Sequence, residues 1–229
     1  MFPARQPEGR ESLGAIRAEC LSKASAHSTV AAKIRLNTEV ISGQVSVVSE
    51  ANGTYEHQRK GAKLLFRVEM KNQIRTKAGK RVVDDEQAVL TIGDGVHAYT
   101  LTHQKGKEPS AVKSMPVASQ TLLADEPFFE VLASNFEVRV LPDEKIDAQD
   151  VWVLETRPRT PKPGQAAKTL HYIRKDCALR VRSTGHDATG RRIQFSGLSE
   201  VKLDPEIDPR RFIFEAPDGV KVMDLTGKP

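Results

Sequence analysis

The most constraining feature of this chain is the stretch Lys63-Leu-Leu-Phe-Arg-Val-Glu-Met-Lys71, in which apolar and charged residues alternate. In an extended strand, successive side chains point to opposite faces of the sheet. One face is then formed by Leu64, Phe66, Val68 and Met70, and the other by Arg67, Glu69 and Lys71. This pattern predicts an antiparallel strand with one apolar face and one face in water.

The same two-residue period runs through about residues 29–103 and again after residue 136. Glycine-containing pairs predict tight turns between the strands, at Asn52-Gly53, Lys60-Gly61, Ala78-Gly79 and Asp94-Gly95. Residues 104–117 are polar and contain proline, which predicts a loop. The basic, proline-rich residues 157–164 predict a second, exposed loop.

Two segments have helical periodicity instead. Residues 10–27 carry an apolar stripe at steps of three and four, formed by Leu13, Ile16, Cys20, Leu21 and Ala24. In residues 119–134, Asp125 suits a helix cap and Pro127 a first helical turn. This second helix presents Phe128, Phe129 and Leu132, which are expected to cover the apolar side of the sheet as a lid.

We therefore predict a mainly β protein of the α+β class. One extended, curved antiparallel sheet carries an N-terminal helix and a central helix. The polar residues 1–9 are expected to be a flexible terminus, and residues 10–229 to form a single domain, because no repeat or composition break divides them.

The composition argues against several classes of function. The net charge of +5 is spread through runs of mixed sign, without a recognition helix or an RNA-stacking motif, so no nucleic-acid partner is expected. No apolar run approaches the roughly 20 residues of a membrane-spanning helix. The polar start lacks the apolar segment of a secretory signal peptide, so the protein is either cytosolic or has an export signal that was removed or lies outside this chain.

Residues with catalytic potential do not form a recognisable constellation. The six histidines lack metal-ligand spacing, and no loop suited to cradling phosphate occurs, so neither a cofactor nor a metal is expected. Cys177, with His171 and Asp176, looks superficially like a nucleophile set, but it falls at an expected hairpin turn without an oxyanion-hole motif. Cys20 and Cys177 are expected to be either one disulfide bond or two buried thiols.

Several motifs resemble the LolA-like outer-membrane lipoprotein carriers. The segment Asp94-Gly95-x-x-x-Tyr99 is similar to a hairpin of that family, and Pro127-Phe-Phe-Glu-Val-Leu132 occupies the place of its central helix. Residues 182–199 look like its last hairpin. The segment Phe212-Ile-Phe-Glu-Ala-Pro-Asp-Gly-Val-Lys-Val222 is similar to its closing strand. The order and spacing of these motifs cover about residues 10–225.

The resemblance implies an unclosed half-barrel whose apolar cavity binds an acyl chain, a lipid or a lipidated protein in the periplasm or cell envelope. The expected cavity residues are Leu64, Phe66, Val68, Met70, Leu90, Ile92, Leu101, Phe128, Phe129 and Leu132. Arg59 matches the arginine that tethers the lid in the carriers, although Lys60 stands where they have proline. The same apolar rows would also serve as an ordinary core.

Three functions follow in order of preference. The first is a non-catalytic carrier of lipids or lipoproteins. The second is an envelope sensor of the same fold that binds a regulatory protein of the inner membrane. The third is a hydrolase, which ranks last because no activated nucleophile is found.

Overall fold

A computed structural model describes residues 12–61, 63–116 and 122–227. The predicted flexible terminus lies outside these residues, as do positions 10 and 11 of the first predicted helix and positions 119–121 of the second. Within the described residues, the chain forms two α-helices, a short 3-10 helix (Pro209–Phe212) and twelve strands. The helices are α1 (Leu13–Ala24) and α2 (Glu126–Asn135). The strands are β1 (Thr29–Ser42), β2 (Val45–Lys60), β3 (Lys63–Ala78), β4 (Arg81–Gly93), β5 (Ala98–Gln104), β6 (Ser110–Ser114), β7 (Phe136–Ile146), β8 (Gln149–Pro158), β9 (Lys168–Arg174), β10 (Arg180–His186), β11 (Arg192–Leu203) and β12 (Val222–Asp224).

All twelve strands belong to one sheet, in the order β12-β6-β5-β4-β3-β2-β1-β11-β10-β9-β8-β7. Neighbouring strands are antiparallel except for β12, which pairs with β6 in parallel. β7 and β12 form the two edges and do not pair with each other, so the sheet stays open. The predicted α+β fold with one unclosed sheet and two helices is confirmed.

Both helices begin at side-chain caps. The Ser12 hydroxyl accepts a hydrogen bond from the backbone N–H of Ala15 at 3.1 Å. The Asp125 carboxylate accepts one from the N–H of Phe128 at 3.4 Å, as the sequence predicted for this residue. The buried sides of the helices join the main core with Tyr55 and Phe66 of the sheet. The helices therefore pack on a single face of the sheet.

The turn predicted at Asn52-Gly53 is wrong, because both residues lie in the middle of β2. Gly53 pairs with Ile34 on one side and Met70 on the other. A Cβ atom at this position would stand 1.8 Å from the carbonyl oxygen of Glu69. Glycine is needed here for the close approach of β3, and not for a turn. The other three predicted glycine turns are present, with positive φ at Gly61, Gly79 and Gly95.

Two further expectations were wrong. The loop predicted over residues 104–117 contains β6, which is short and mostly polar but pairs with β5 and buries Ala111. The closing strand predicted over residues 212–222 is absent, since only Val222–Asp224 is extended in the sheet. Its alternating phenylalanines are used differently, as described below.

Candidate functional site

The sheet has two faces with different roles. We call the face that carries Leu64, Phe66, Val68 and Met70 the cavity face, and the face that carries Arg67 and Glu69 the outer face. A cavity of about 540 Å³ lies on the cavity face, within the usual size range of ligand sites. It is lined by Ile34, Leu36, Tyr55, Val68, Met70, Thr91, Leu122, Phe136, Gln165, Ala166, Thr169, His171, Arg180, Ser183, Gln194 and Ser196.

Strands far apart in the sheet contribute to this one cavity. Tyr55 of β2 and His171 of β9 both line it, although four strand spacings separate them in the sheet order. In a flat sheet this separation would be about 19 Å. The sheet therefore curves around the cavity, and the helices lie on the concave side.

The cavity face of β3 is divided between cavity and core. Val68 and Met70 line the cavity. Phe66 is only 2% exposed and belongs to the core, and the half-buried Leu64 packs against that core. The Phe66 ring crosses Gly93, where a Cβ atom would stand 2.1 Å from it. Because Gly93 has no side chain, the Phe66 ring can pack over it in the core.

The predicted placement of Leu90, Ile92 and Leu101 beside these residues is wrong. Glu69 pairs with Leu90, and Leu90 pairs with Leu101, so both leucines lie on the outer face. Ile92 pairs with Arg67 on the same face. The reason is the two-residue turn at Gly79-Lys80, which places odd-numbered residues of β4 beside even-numbered residues of β3. The residue of β4 that lines the cavity is Thr91.

The C-terminal segment covers part of the outer face. Phe214 stacks on Tyr99 with ring centroids 5.1 Å apart, and Ile92 beneath this segment is only 1% exposed. The Arg211 guanidinium bonds the Glu56 carboxylate at 2.7 Å, and Arg67 donates to the Arg211 carbonyl at 3.0 Å. Phe214 of the expected closing strand therefore packs on the outer face instead of extending the sheet.

A buried polar pair stands beside the cavity. The Tyr55 hydroxyl is 3.0 Å from His57 Nδ1 and accepts a hydrogen bond from the N–H of Leu122 at 3.4 Å. Burial raises the pKa of Tyr55. Burial, and then the nearby Arg59 charge, lower the pKa of His57 to about 4. A neutral His57 can accept a hydrogen bond from the Tyr55 hydroxyl, which satisfies both groups inside the core.

A second polar group forms part of the cavity wall itself. His171 contacts the hydroxyls of Thr156 and Ser183, each at 3.2 Å. Burial, and then the charge of Arg180, lower the pKa of His171 to about 3. The Arg180 guanidinium lies 4.7 Å from the centroid of the Phe128 ring. Arg180 is half-buried, because one side of it lines the open cavity. Burial of the rest of the side chain lowers the pKa of its guanidinium.

The sequence pattern does not identify Arg180 and Ser183 as wall residues, for a geometric reason. A register irregularity between Arg180 and Arg182 changes the phase of β10. As a result, both Arg180 and Ser183 line the cavity, although strict alternation would place them on opposite faces. The available signal for a wall residue was an arginine inside a strand pattern. In sequence, such an arginine resembles an ordinary solvated residue.

The predicted lid residues lie behind the cavity wall. Phe128, Phe129 and Leu132 are at most 5% exposed and belong to the core, and none is among the described residues that line the cavity. Leu122 and Phe136, which flank α2, contact the cavity instead. The two phenylalanines pack edge to face, with centroids 5.2 Å apart.

Arg59 reaches the end of a helix. Its guanidinium donates to the Ala24 carbonyl at 3.1 Å, at the C-terminal end of α1. The hydrogen bond seen in the described residues therefore joins Arg59 to the first helix. Arg17 of α1 forms an ion pair with Glu126 of α2, which links the two helices.

The candidate nucleophile lacks the properties of an activated thiol. Burial raises the pKa of Cys177 to about 12, and the residue is 2% exposed. Cys20 and Cys177 are both buried thiols, the second of the two alternatives that the sequence left open. The described residues contain no group of three potential metal ligands. None of the helices found in these residues has the length and apolar character needed to span a membrane.

No protein-family model matches the chain, and no curated protein sequence matches it. Among solved structures, it is similar to an uncharacterized conserved protein from Thermus thermophilus, with 13% identity, a TM-score of 0.49, and coverage of 90% of this chain and 98% of that one. The complex of MucA and MucB from Pseudomonas aeruginosa matches with 11% identity and a TM-score of 0.48, over 87% of this chain and 60% of that one.

A LolA superfamily protein from Nitrosomonas europaea matches with 14% identity and a TM-score of 0.31, over 90% of this chain and 99% of that one. Such likeness does not transfer a function to this chain. These likenesses concern the fold alone.

Proposed function

We propose that this protein is a non-catalytic carrier that binds an acyl chain, as part of a lipid or a lipidated protein, in the cavity of its sheet. The observation that supports the proposal most directly is the 540 Å³ cavity, which is open and lies on the concave face. Its wall combines aliphatic side chains with a polar end around His171 and Arg180. An amphiphile with an apolar tail and a polar head group is complementary to such a wall.

The energetics favour a long alkyl chain. Each buried methylene contributes about 0.8 kcal/mol, so a chain of moderate length can be bound without a strong polar anchor. Ile34, Leu36, Val68 and Met70 supply the apolar surface, and the flexible thioether of Met70 can adapt to a mobile chain. The proposed location of such a carrier is the cell envelope, where lipidated proteins move between membranes.

The test compares two similar residues on opposite faces. Val68 and Leu90 are both half-buried and lie on neighbouring strands, but only Val68 lines the cavity. Val68→Trp should displace at least two methylenes of a bound chain and weaken the binding of a fluorescent fatty acid about tenfold or more. Leu90→Trp should leave binding unchanged. The measurement is a fluorescence titration of both variants after their folding has been checked by circular dichroism.

Mass spectrometry of an organic extract of the purified protein should reveal co-purified acyl chains. The proposal fails if the extract contains no lipid and the fatty acid does not bind, or if both tryptophan variants bind as well as the wild type. A sensor would instead capture one specific membrane protein, and this capture would be insensitive to Val68→Trp. A hydrolase would lose a measurable activity in Cys177→Ala.

A further inference from the structure

The first two hairpins extend beyond the rest of the sheet. β11 pairs with β1 only as far as Thr38, and β5 pairs with β4 only from Gln87. The ends of β1–β2 and β3–β4, residues 39–48 and 75–86, therefore form a separate four-stranded projection, which we call the hairpin tip. The last four residues of β1 alone extend about 13 Å past its pairing with β11.

The hairpin tip is unusually apolar for a solvent-exposed part of the chain. Five of the eleven large hydrophobic side chains that are exposed in the described residues lie in it. The strand register divides them between both faces: Val40, Val45 and Val83 on the cavity face, and Ile41 and Val82 on the outer face. Their exposed fractions range from 40% to 53%. A single covering element could not bury both groups.

At the far end of the hairpin tip, where the five aliphatic side chains lie, the charge is positive. Residues 76–83 contain three lysines and arginines and no acidic residue, while residues 40–49 contain no charged residue. The acidic residues Asp84, Asp85 and Glu86 lie at the base of the tip, where Asp84 pairs with Arg75 at 2.7 Å. Lys77, Lys80 and Arg81 lie in this acid-free segment, at and beside the turn of the second hairpin. Glu39, the only acidic residue at the end of the first hairpin, pairs with Arg191 at 3.3 Å.

A basic loop lies beside the hairpin tip. A Cβ atom added to Gly164 would be 3.6 Å from the Val40 side chain, so the loop of residues 159–167 approaches that strand at Gly164. The loop contributes Arg159 and Lys162 and contains no acidic residue. Exposed aliphatic groups surrounded by cations are complementary to an anionic bilayer, because the former enter the interface and the latter bind head groups.

We propose that the hairpin tip docks on the surface of an anionic lipid membrane. Pairing of these ends with a second copy is disfavoured, because it would bring the positively charged ends of two hairpin tips together. The tip is continuous with the cavity, since Ile34, Leu36, Thr38 and Val40 follow each other on the cavity face of β1. Docking would orient the cavity face along the membrane. The docking itself does not depend on what the cavity binds.

The experiment measures co-sedimentation of the whole chain with vesicles. Wild-type protein should bind phosphatidylcholine vesicles that contain phosphatidylglycerol and should bind pure phosphatidylcholine vesicles much more weakly. Lys80→Gln with Arg81→Gln should weaken the binding about 30-fold, as expected for two cations near an anionic surface. Added salt should reduce wild-type binding in the same way.

A matched control is available at the other end of β3. Lys60→Gln with Lys63→Gln also removes two exposed cations beside a glycine turn, and it should change the binding less than twofold. Equal losses in the two double variants would show that only the net charge matters and would overturn the proposal. Absence of wild-type binding to anionic vesicles would do the same.

Insertion of the aliphatic groups is tested separately with Val45→Trp. The only natural tryptophan, Trp152, is 1% exposed and should report little change. The emission of the new indole should shift to shorter wavelength when anionic vesicles are added, and it should be quenched by lipids that carry a quencher in their acyl chains. An unshifted emission, or a shift that depends on protein concentration without lipid, would contradict docking and indicate self-association.

Discussion

The two faces of β3 differ in what covers them. The cavity face is covered by helices and core side chains at Phe66 and is open to the cavity at Val68 and Met70. The outer face carries Arg67 and Glu69, and the C-terminal segment reaches it through an ion pair and a stacked ring. Alternation along one strand thus identifies two faces but does not indicate what each face contacts.

Apolar rows on neighbouring strands can therefore lie on opposite faces of the sheet and make no contact with each other. Leu90 and Leu101 are as apolar as Val68 and Met70, yet they lie on the opposite side of the sheet. We expect the cavity face to carry most of the stability because it joins the main core. The outer face should contribute less, since its cover is a single irregular segment.

The largest expected effect compares a ring on each face. Phe66→Ala removes a ring that is 2% exposed and packed over Gly93, and it should lower the free energy of unfolding by about 3–5 kcal/mol. Phe214→Ala removes a half-buried ring that stacks on Tyr99, and it should cost about 1 kcal/mol. Urea unfolding of both variants measures the difference. Equal losses would mean that the outer cover is as much a part of the core as the inner face.

The next effect depends on pH and concerns His57, which is 1% exposed beneath the cavity face. Its pKa falls from 6.5 to about 4 on folding, so the unfolded chain binds the proton first as the pH drops. Stability is therefore complete above about pH 6.5 and declines towards pH 4, by about 2 kcal/mol between pH 7 and pH 5. The pKa of His171 is also lowered, so this residue should add to the decline in stability.

The variant His57→Gln isolates this contribution. It should be less stable than the wild type at pH 7, because the hydrogen bond from Tyr55 is disturbed, but its stability should fall less steeply towards pH 5. The measurement is urea unfolding at several pH values. A variant with the same slope as the wild type would show that His57 is not buried in its neutral form.

Much of the architecture could be predicted from the sequence, because the relevant signals are local. The alternation of residues 63–71, the Asp125 cap and the turns at Gly61, Gly79 and Gly95 all depend on a few neighbouring residues. Gly53 was misassigned because two physical demands, a turn and a close backbone approach, select the same residue.

The site was less predictable because it depends on relations between strands. The face of the sheet on which Leu90 lies is set by the register across a turn. The face on which Arg180 lies is set by an irregularity in β10. Phe128 and Phe129 are apolar enough for either a lid or a core, and only the packing of α2 places them in the core. These choices are made by tertiary contacts that no local pattern contains.

The smallest expected effect concerns the ion pair that attaches the C-terminal segment to the outer face. Arg211→Gln removes the 2.7 Å contact with Glu56 and a 3.7 Å contact with Glu69, but Arg211 is partly exposed and its carbonyl still accepts from Arg67. The loss of stability should therefore be below about 1 kcal/mol and should shrink further at high salt. Arg210→Gln is a matched control, since Arg210 pairs only locally with Asp208 within the described residues and should have almost no effect. A loss above about 2 kcal/mol in Arg211→Gln would show that one polar contact holds the whole outer cover, and the two faces would then differ less in stability than their burial implies.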